Sequence, residues 1–364
     1  MINASFFPSR RLALYMVRLF VTRSLAVLLA LVLILMTLDL LGESGKILAV
    51  PGNTDADIWR YASLRLPILF SRFLPFSVLL GTLIAFVGLN QNSEVVAMKA
   101  AGLSAHQILA PLVLASIGIA IGLFAFNELV VVNATRTVTA WSDNDYKPVP
   151  PASGMVSNVW VMNGDDLVHA GVAGGRPFRV NRIEIFDRSG GVLQRQIEAA
   201  RATPLPAGDW LLEDVKIYDA NMNVIRTMPR LTTLAGLTAN QLTLAKVEPL
   251  ELPYWTLRQR IVELGVGGRP DDEARAGLAH KIAGPLSTLL MPLLAAVAAF
   301  GLARSGQVLL RAVIGMALGF AYFVVDNFSL AMGNAGTYPP LIAAWAPFLL
   351  FLLIGETVLI RTEE

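Results

Sequence analysis

The sequence predicts an integral membrane protein built of α-helices, with six transmembrane helices in two halves of three and an all-β domain inserted between the halves. Three observations lead to this fold class. The chain of 364 residues is 55% hydrophobic and 15% charged, with a mean hydropathy of +0.58, which is too apolar for a soluble domain. Six apolar runs are long enough to cross about 30 Å of hydrocarbon. Between the third and fourth runs, residues 133–275 change to the alternating pattern of strands.

The apolar runs define the two membrane halves. The predicted spans are Leu19–Leu41, Leu66–Leu89, Ile108–Val132, Ile282–Ala303, Ala312–Met332 and Tyr338–Ile360. Pro67, Arg72 and Pro75 interrupt the second run near its start, where irregular backbone is tolerated only at the interface or in a protein-lined cavity. We therefore divide the chain into residues 1–132, 133–275 and 276–364.

A short charged segment, Gln91–Gln107, separates the second and third spans. Asn92 or Ser93 can cap a helix in which Glu94 stands at the positive N-terminal end. Gly102 offers a left-handed end to that helix, and Ser104 caps the next one. The residues alone leave two interpretations open: a loop helix on the lipid surface, or a helix by which a partner holds the protein.

Basic residues in the short loops predict the orientation, because Lys and Arg are retained on the cytoplasmic side. Placing the N-terminus inside puts one group of basic residues in the cytoplasm, and the loop 333–337 outside carries no charge. Lys46, Arg60 and Arg65 in the first outer loop weaken the asymmetry. Both termini and the segment Gln91–Gln107 are predicted to be cytoplasmic, and residues 133–275 are predicted to lie outside. The cytoplasmic group is Arg10, Arg11, Arg18, Arg23, Lys99, Arg304, Arg311 and Arg361.

The inserted segment reads as strands punctuated by turn residues. Ser189-Gly190-Gly191 indicates a hairpin between two of the strands, and Pro249–Gly268 indicates a short helix that returns to the membrane half. The predicted strands are Val156–Met162, Arg179–Phe186, Val192–Ala199, Asp209–Tyr218 and Val224–Met228.

Several classes of chemistry lack their motifs in this sequence. Gly45-Lys46 is followed by Ile47 rather than by Ser or Thr, so no phosphate-binding loop is present and ATP would be hydrolysed by another chain. His106, His169 and His280 are dispersed, and the chain has no Cys, so neither a metal site nor a cofactor is expected. No catalytic residue is predicted, and the net charge of +2 does not suggest nucleic-acid binding.

Ionisable residues cluster toward the outer ends of the spans. Asp39, Arg72, Glu128 and Asp326 fall there in the predicted topology. Such groups pair with one another, reach the interface or face a wet cavity. A polar outer mouth could bind a phosphorylated headgroup, and by position Lys46, Arg65 and Arg72 are the candidates for its phosphates, with Arg60 beside them.

Five strings together resemble a known family. NSEVVAMKAAGLS at Asn92–Ser104 follows FLPFSVLLGTL at Phe73–Leu83, and KIAGPLS at Lys281–Ser287, FVVDNF at Phe323–Phe328 and YPPLIAAWAP at Tyr338–Pro347 come later in the chain. In order and place they resemble the paired permeases of the lipopolysaccharide export system, the LptF/LptG family. Of the two paralogues, the chain is more similar to the G subunit.

The resemblance implies a fold, a function and partners. The fold is six helices with a periplasmic β-jellyroll in the bacterial inner membrane. The function is extraction of lipopolysaccharide from the outer leaflet of that membrane and its delivery to a periplasmic bridge. The implied partners are a paralogous LptF-like permease, a cytoplasmic LptB-like ABC ATPase dimer, a single-span LptC-like protein and the bridge.

The resemblance also implies site residues. The segment after the second span becomes the helix that couples to the ATPase, with Glu94, Val95, Met98, Gly102 and Ser104 as its residues. The first and fifth spans become the cavity and lateral gate, with Leu33, Met36, Asp39, Phe320, Val324 and Asp326. Family members carry lysines near the places of Met36 and Ile68, so their phosphate contacts do not transfer to this chain.

Two other functions stay open at this point. The chain could be a mechanical transducer, a membrane subunit that passes ATPase motion to a periplasmic partner without carrying lipid. It could also be a membrane enzyme with an unrecognised site. Lipid crosslinking inside the membrane half separates the first alternative from transport.

Overall fold

The structure is a computed structural model that describes residues 8–148, 156–174, 178–205, 208–220, 222–234, 237–239, 242, 247–266, 270–300 and 308–361. The basic residue Arg304, used above to predict orientation, lies outside the described residues. The chain divides into two compact units. The first comprises Met1–Lys147, Pro249–Tyr254 and Arg275–Glu364, and the second comprises Pro148–Glu248 and Trp255–Ala274.

Most of the helices lie in the first unit, and six of those described are long and apolar enough to cross a membrane, which confirms the predicted number. We number the helices in chain order. They are α1 Arg10–Leu48, α2 Asp55–Gln91, α3 Glu94–Ala100, α4 Ala105–Phe126, α5 Val132–Asp143, α6 Tyr254–Val266, α7 Asp272–Phe300, α8 Val308–Asn334 and α9 Pro340–Arg361.

Helices α1 and α2 form a closely packed antiparallel pair. Every fourth residue of α1 is buried, through Phe20, Ser24, Leu28 and Val32 to Met36, because residues four apart share one helix face. The two backbones come together where Gly81 of α2 meets Ser24: a Cβ on Gly81 would collide with the Ser24 backbone and hydroxyl. Glycine is therefore required at this crossing.

The third span is part of a longer helix than predicted. After α4 the chain makes a π-helical turn at Asn127–Val131 and continues without a break as α5. The polar residues that suggested an end after Val132 lie on the exposed side of α5, while Val138 and Trp141 are buried. The first compact unit includes α5 and extends to Lys147.

The second unit contains one six-stranded antiparallel sheet among the described residues, in which every strand pairs with its neighbours in sequence. The inserted all-β domain is thus confirmed. Because the described pairing is that of a meander, the finer expectation of a jellyroll stays a prediction. The strands are β1 Val156–Asn163, β2 Asp166–Gly174, β3 Arg179–Ser189, β4 Val192–Pro204, β5 Trp210–Asp219 and β6 Val224–Thr233.

Five of these strands match predicted ones, and β2 was missed. The predicted hairpin is present between β3 and β4, where Gly190 and Gly191 have φ of 58° and 79° between the paired residues Ser189 and Val192. Two positive φ values in a two-residue loop define the turn whose twist suits a hairpin. The sequence analysis missed β2 because Gly171 interrupts its alternation of apolar and polar residues. A Cβ on Gly171 would crowd the backbone of Asn181 in β3.

Alternate residues of the strands form the core of the second unit. Val168, Ile183 and Val215 are fully buried, as is Trp210, whose indole N–H donates to the carbonyl of Leu237 at 2.7 Å. A buried indole needs such an acceptor.

The predicted return helix is present as a 3₁₀ turn at Pro249–Glu251 followed by α6.

Candidate functional site

Local signals define the ends of α3, the helix predicted to couple to an ATPase. It begins after Ser93, which has φ of 58°, and places Glu94 in its first turn. At its C-terminus the N–H of Gly102 donates to Lys99 O and that of Leu103 to Met98 O. This is the Schellman arrangement, and Gly102, with φ of +87°, supplies its left-handed residue.

The next helix begins with a capping box. The backbone N–H of Gln107 donates to Ser104 Oγ at 3.2 Å, and the N–H of Ser104 donates to Gln107 Oε1 at 3.1 Å. Gly102 and Ser104 therefore shape the turn between α3 and α4 rather than presenting side chains to a partner.

The two faces of α3 differ in character. Val95 and Met98 are buried in the membrane-unit core, so they anchor the helix. Val96, Ala97, Lys99 and Ala100 are exposed on the other side. The exposed side of α3 is thus made of Val, Ala and one Lys, whereas Val95 and Met98 hold the helix against the core.

Glu94 is bonded to the first span. The phenolic O–H of Tyr15 in α1 donates to Glu94 Oε2 at 3.0 Å and lies 3.3 Å from Oε1. Asn92 Nδ2 is 3.5 Å from Oε1 of the same carboxylate. Helix α3 is therefore joined to α1 by a side-chain bond that the sequence analysis missed, since no local pattern relates residues so far apart.

Two of the three candidate headgroup cations are already neutralised. Arg65 donates to Asp39 from Nε at 3.1 Å and from Nη2 at 3.2 Å, and Tyr61 donates to the same carboxylate at 2.8 Å. Lys46 donates to Glu43 at 2.8 Å. A phosphate would have to share either cation with a carboxylate.

The Glu43 carboxylate also accepts from a residue beyond the third span. Tyr146 O–H donates to Glu43 Oε2 at 2.7 Å. Burial and this hydrogen bond raise the pKa of Tyr146, so the phenol stays protonated. Its carbonyl accepts from Asn53 Nδ2 at 3.0 Å and from the Trp141 indole at 2.9 Å. These bonds join the C-terminal end of α1, the loop before α2 and the C-terminal end of α5.

Arg72, the third candidate cation, is exposed in the middle of α2 and makes no hydrogen bond or ion pair within the described parts of the chain. Its helix packs on α8 where Leu79 meets Gly319, since a Cβ on Gly319 would collide with Leu79 Cδ2. Arg72 lies two turns before Leu79 on the same face of α2, and Asp326 lies two turns after Gly319 on the same face of α8. Because the two helices are antiparallel, both residues lie about 10 Å from the contact in the same direction. Arg72 is thus directed toward the fifth span.

The predicted gate residues fall into exposed and buried groups. Leu33 is 66% exposed, Phe320 64% and Val324 51%, which leaves them free to contact lipid. Met36 is buried against α2. Asp326 is held by His280, with Nε2 and Oδ2 3.1 Å apart. Of the predicted gate residues, the three apolar ones are therefore exposed. Asp39 is bonded to Arg65 and Asp326 to His280.

One buried ion pair was missed by sequence reasoning. Lys281 Nζ donates to Glu128 Oε1 at 2.8 Å, with side-chain exposures of 9% and 16%. The backbone N–H of Tyr254 donates to the other carboxylate oxygen at 2.5 Å. Glu128 stands in the π-helical turn, and such turns are frequent at functional positions. It ties the third span to the fourth and to the segment returning from the β domain.

Comparison with known proteins identifies the family. A family model described as "Lipopolysaccharide export system permease LptF/LptG" matches residues 14–361. The chain belongs to this family. Two relatives named "Lipopolysaccharide export system permease protein LptG" are similar to this LptF/LptG family member along most of its length.

The first relative, from Escherichia coli (strain K12), is 24% identical over 321 residues, which cover 83% of this chain and 84% of the relative. The second, from Haemophilus influenzae, is 26% identical over 330 residues, covering 86% and 89%. The LptF/LptG membership and the six apolar helices make the chain a multi-pass inner-membrane protein. It is a permease of this family, and no group of three or more His, Cys, Asp or Glu that could hold a metal occurs among its described residues.

Proposed function

We propose that this chain is the permease subunit of an ABC-type exporter that extracts lipopolysaccharide from the outer leaflet of the inner membrane and passes it to a periplasmic bridge. A separate ATPase drives it, and the subunit itself is not an enzyme. The observation that carries the proposal is helix α3, whose exposed small residues lie beside a carboxylate bonded to the first span. The family match supplies the substrate.

The proposed assembly has one partner for each surface. A cytoplasmic LptB-like ABC ATPase dimer contacts α3, and a paralogous LptF-like permease completes the cavity beside α1 and α8. A single-span LptC-like protein and the periplasmic bridge receive the lipid from the β domain. Both termini are cytoplasmic and the β domain is periplasmic in this arrangement.

Coupling requires a contact that differs between the nucleotide states of the ATPase, because a contact of equal strength in both states shifts no equilibrium. Glu94 and the exposed side of α3 are the proposed contact. Tyr15 carries the displacement directly into α1, and Gly102 and Ser104 carry it through the turn into α4. The first and third spans therefore move when α3 moves.

The substrate-facing surface combines apolar side chains with one cation. Leu33, Phe320 and Val324 contact the acyl chains of the lipid. Arg72, which lacks a partner among the described residues, binds a headgroup phosphate as the lipid rises, since guanidinium binds phosphate by two parallel hydrogen bonds. Lys46 and Arg65 attract phosphate less strongly, because Glu43 and Asp39 already offset their charges.

Photocrosslinking distinguishes transport from mechanical transduction. A photoreactive residue at Val324 should form an adduct with lipopolysaccharide in vesicles that contain the whole assembly, and ATP should reduce the adduct. The matched position is Ile121, which is 67% exposed on α4. Equal adducts at both positions, or none at Val324 in an assembly that hydrolyses ATP, would leave transduction as the function.

A further inference from the structure

An open apolar groove lies between the first three spans, on the side of α2 opposite to Arg72. Its volume is 520 Å³. The lining includes Val21 and Leu25 of α1, Leu74 and Val78 of α2, and Ile119 and Gly122 of α4. All three helices are membrane spans, so the groove opens toward hydrocarbon rather than water.

The volume of the groove fits an acyl chain. A cavity of about 150 Å³ with an aliphatic lining binds benzene, so by proportion 520 Å³ accommodates an apolar chain of roughly twenty carbon atoms. Molecules of that shape surround the protein at this depth.

One polar atom in the groove lacks a partner. Ser24 lines the groove, is 3% exposed, and its Oγ has no hydrogen-bond partner in the described parts of the chain. A buried hydroxyl without a partner lowers the stability of the fold. Ser in a helix usually avoids this by donating a hydrogen bond to the carbonyl four residues before it. The Ser24 hydroxyl lies beside Gly81 where α1 crosses α2, at the edge of the groove, and an ester carbonyl is the acceptor that a lipid reaching this edge would offer.

A cation stands at the end of the groove where α1 begins. Arg18, Val21 and Leu25 follow one another at helical spacing and share one face of α1. The Arg18 side chain is exposed and has no ion-pair partner among residues that the structure describes. Arginine at the membrane surface attracts anionic lipid headgroups.

We propose that this groove binds one acyl chain of an anionic phospholipid, with Ser24 donating to its ester carbonyl and Arg18 binding its phosphate. The lipid belongs to the leaflet on the Arg18 side and is not the exported substrate. It fills the space between α1, α2 and α4 as a structural ligand, so this proposal does not depend on the proposed function.

Retention of a defined lipid tests the proposal. The full chain, with the subunits that copurify with it, is reconstituted with equal amounts of phosphatidylglycerol and phosphatidylcholine, washed in mild detergent, and its retained lipids are measured by mass spectrometry. Gly122→Leu fills the groove and should lower retained phosphatidylglycerol by about tenfold. Ile117→Phe is the control on the same helix, because Ile117 is 40% exposed, lies about 140° around α4 from Gly122 and does not line the groove.

The headgroup contact has its own pair of variants. Arg18→Gln should lower the preference for phosphatidylglycerol over phosphatidylcholine by about fivefold. Arg23→Gln, on the opposite side of α1 and also exposed, should leave the preference unchanged. Equal retention in Gly122→Leu and Ile117→Phe overturns the proposal, as does a photocrosslink from Ile119 that captures a protein helix or lipopolysaccharide instead of phospholipid. Melting curves for each variant identify any that has lost its fold.

Discussion

Tyr15 of the first span donates a hydrogen bond of 3.0 Å to Glu94 of the coupling helix, across 79 residues of sequence. Helices α1 and α3 are thereby joined at the carboxylate that the family resemblance names as the ATPase contact. A change in what Glu94 contacts therefore acts on α1 without passing through α2 or α4.

Removing this bond should weaken coupling without abolishing assembly. Tyr15→Phe keeps the ring and removes the O–H, so we expect lipid release per ATP hydrolysed to fall roughly threefold, the value of a partly exposed hydrogen bond to a charged group. Glu94→Ala removes both the bond and the ATPase contact and should uncouple further. The measurement is release from vesicles alongside phosphate production.

A matched control exists in the β domain, where Tyr218 donates to Glu198 at 3.0 Å. This bond raises the pKa of Tyr218, as expected for a phenol beside a carboxylate. Tyr218→Phe loses the same type of bond and should leave the release per ATP unchanged. Equal losses in both variants would remove the special role of Tyr15.

The two faces of α3 should respond differently to substitution. Val96 is 65% exposed, so Val96→Glu should keep the fold while reducing copurification of the ATPase, because the contact would bury a carboxylate without a partner. Val95 is buried, so Val95→Ala should lower the free energy of unfolding by about 1–3 kcal/mol and leave ATPase binding intact in the folded fraction. Pull-down and thermal unfolding distinguish the outcomes, and a reversed pattern would contradict the assigned faces.

The crossing of α1 and α2 should not tolerate a methyl group. Gly81→Ala places a Cβ against the Ser24 backbone, so the helices must separate, at a cost of about 1–3 kcal/mol. Gly88→Ala lies on the same helix with nothing within 4 Å of its Cβ and should be neutral or slightly stabilising. Melting temperatures of the purified chain test this difference, and indistinguishable values would argue against the close approach.

The buried pair of Glu128 and Lys281 should behave as a unit. Lys281→Met leaves the carboxylate uncompensated inside the protein and should cost about 3–5 kcal/mol. Adding Glu128→Gln to that variant removes the charge and should restore much of the loss, because the amide still accepts from the Tyr254 N–H. A double-mutant cycle on thermal stability measures the coupling, and additive losses would show that the two residues act independently.

Local signals explain what the sequence predicted well. Gly102 and Ser104 end one helix and begin another through bonds within six residues, and Gly190-Gly191 closes a hairpin between adjacent strands. The apolar runs identify the spans for the same reason, since each span is defined by its own composition.

Long-range contacts explain what sequence reasoning missed. Glu128 meets Lys281 across 153 residues, and Tyr15 meets Glu94 across 79. No periodicity links such positions. Arg65 was predicted as a phosphate ligand from its place at a span end, but only the packing of α1 on α2 reveals that Asp39 already pairs with it. The continuation of the third span into α5 was hidden because its buried side, Val138 and Trp141, is narrow.

Arg72 should matter more to lipopolysaccharide than the other two candidate cations. It has no ion-pair partner within the described ranges, whereas Lys46 and Arg65 are bonded to Glu43 and Asp39. Arg72→Gln should therefore lower crosslinking of lipopolysaccharide at Val324 by about tenfold, the value of one charge-assisted phosphate contact in a desolvated site. Lys46→Gln, which removes a cation of 65% side-chain exposure, should change it less than twofold or so. Arg72→Lys keeps the charge but cannot donate two parallel hydrogen bonds to a phosphate. Its crosslink yield should therefore lie between those of Arg72→Gln and Lys46→Gln. If Lys46→Gln lowered the crosslink as far as Arg72→Gln, the phosphate would lie at the outer rim of the first span instead of beside the fifth.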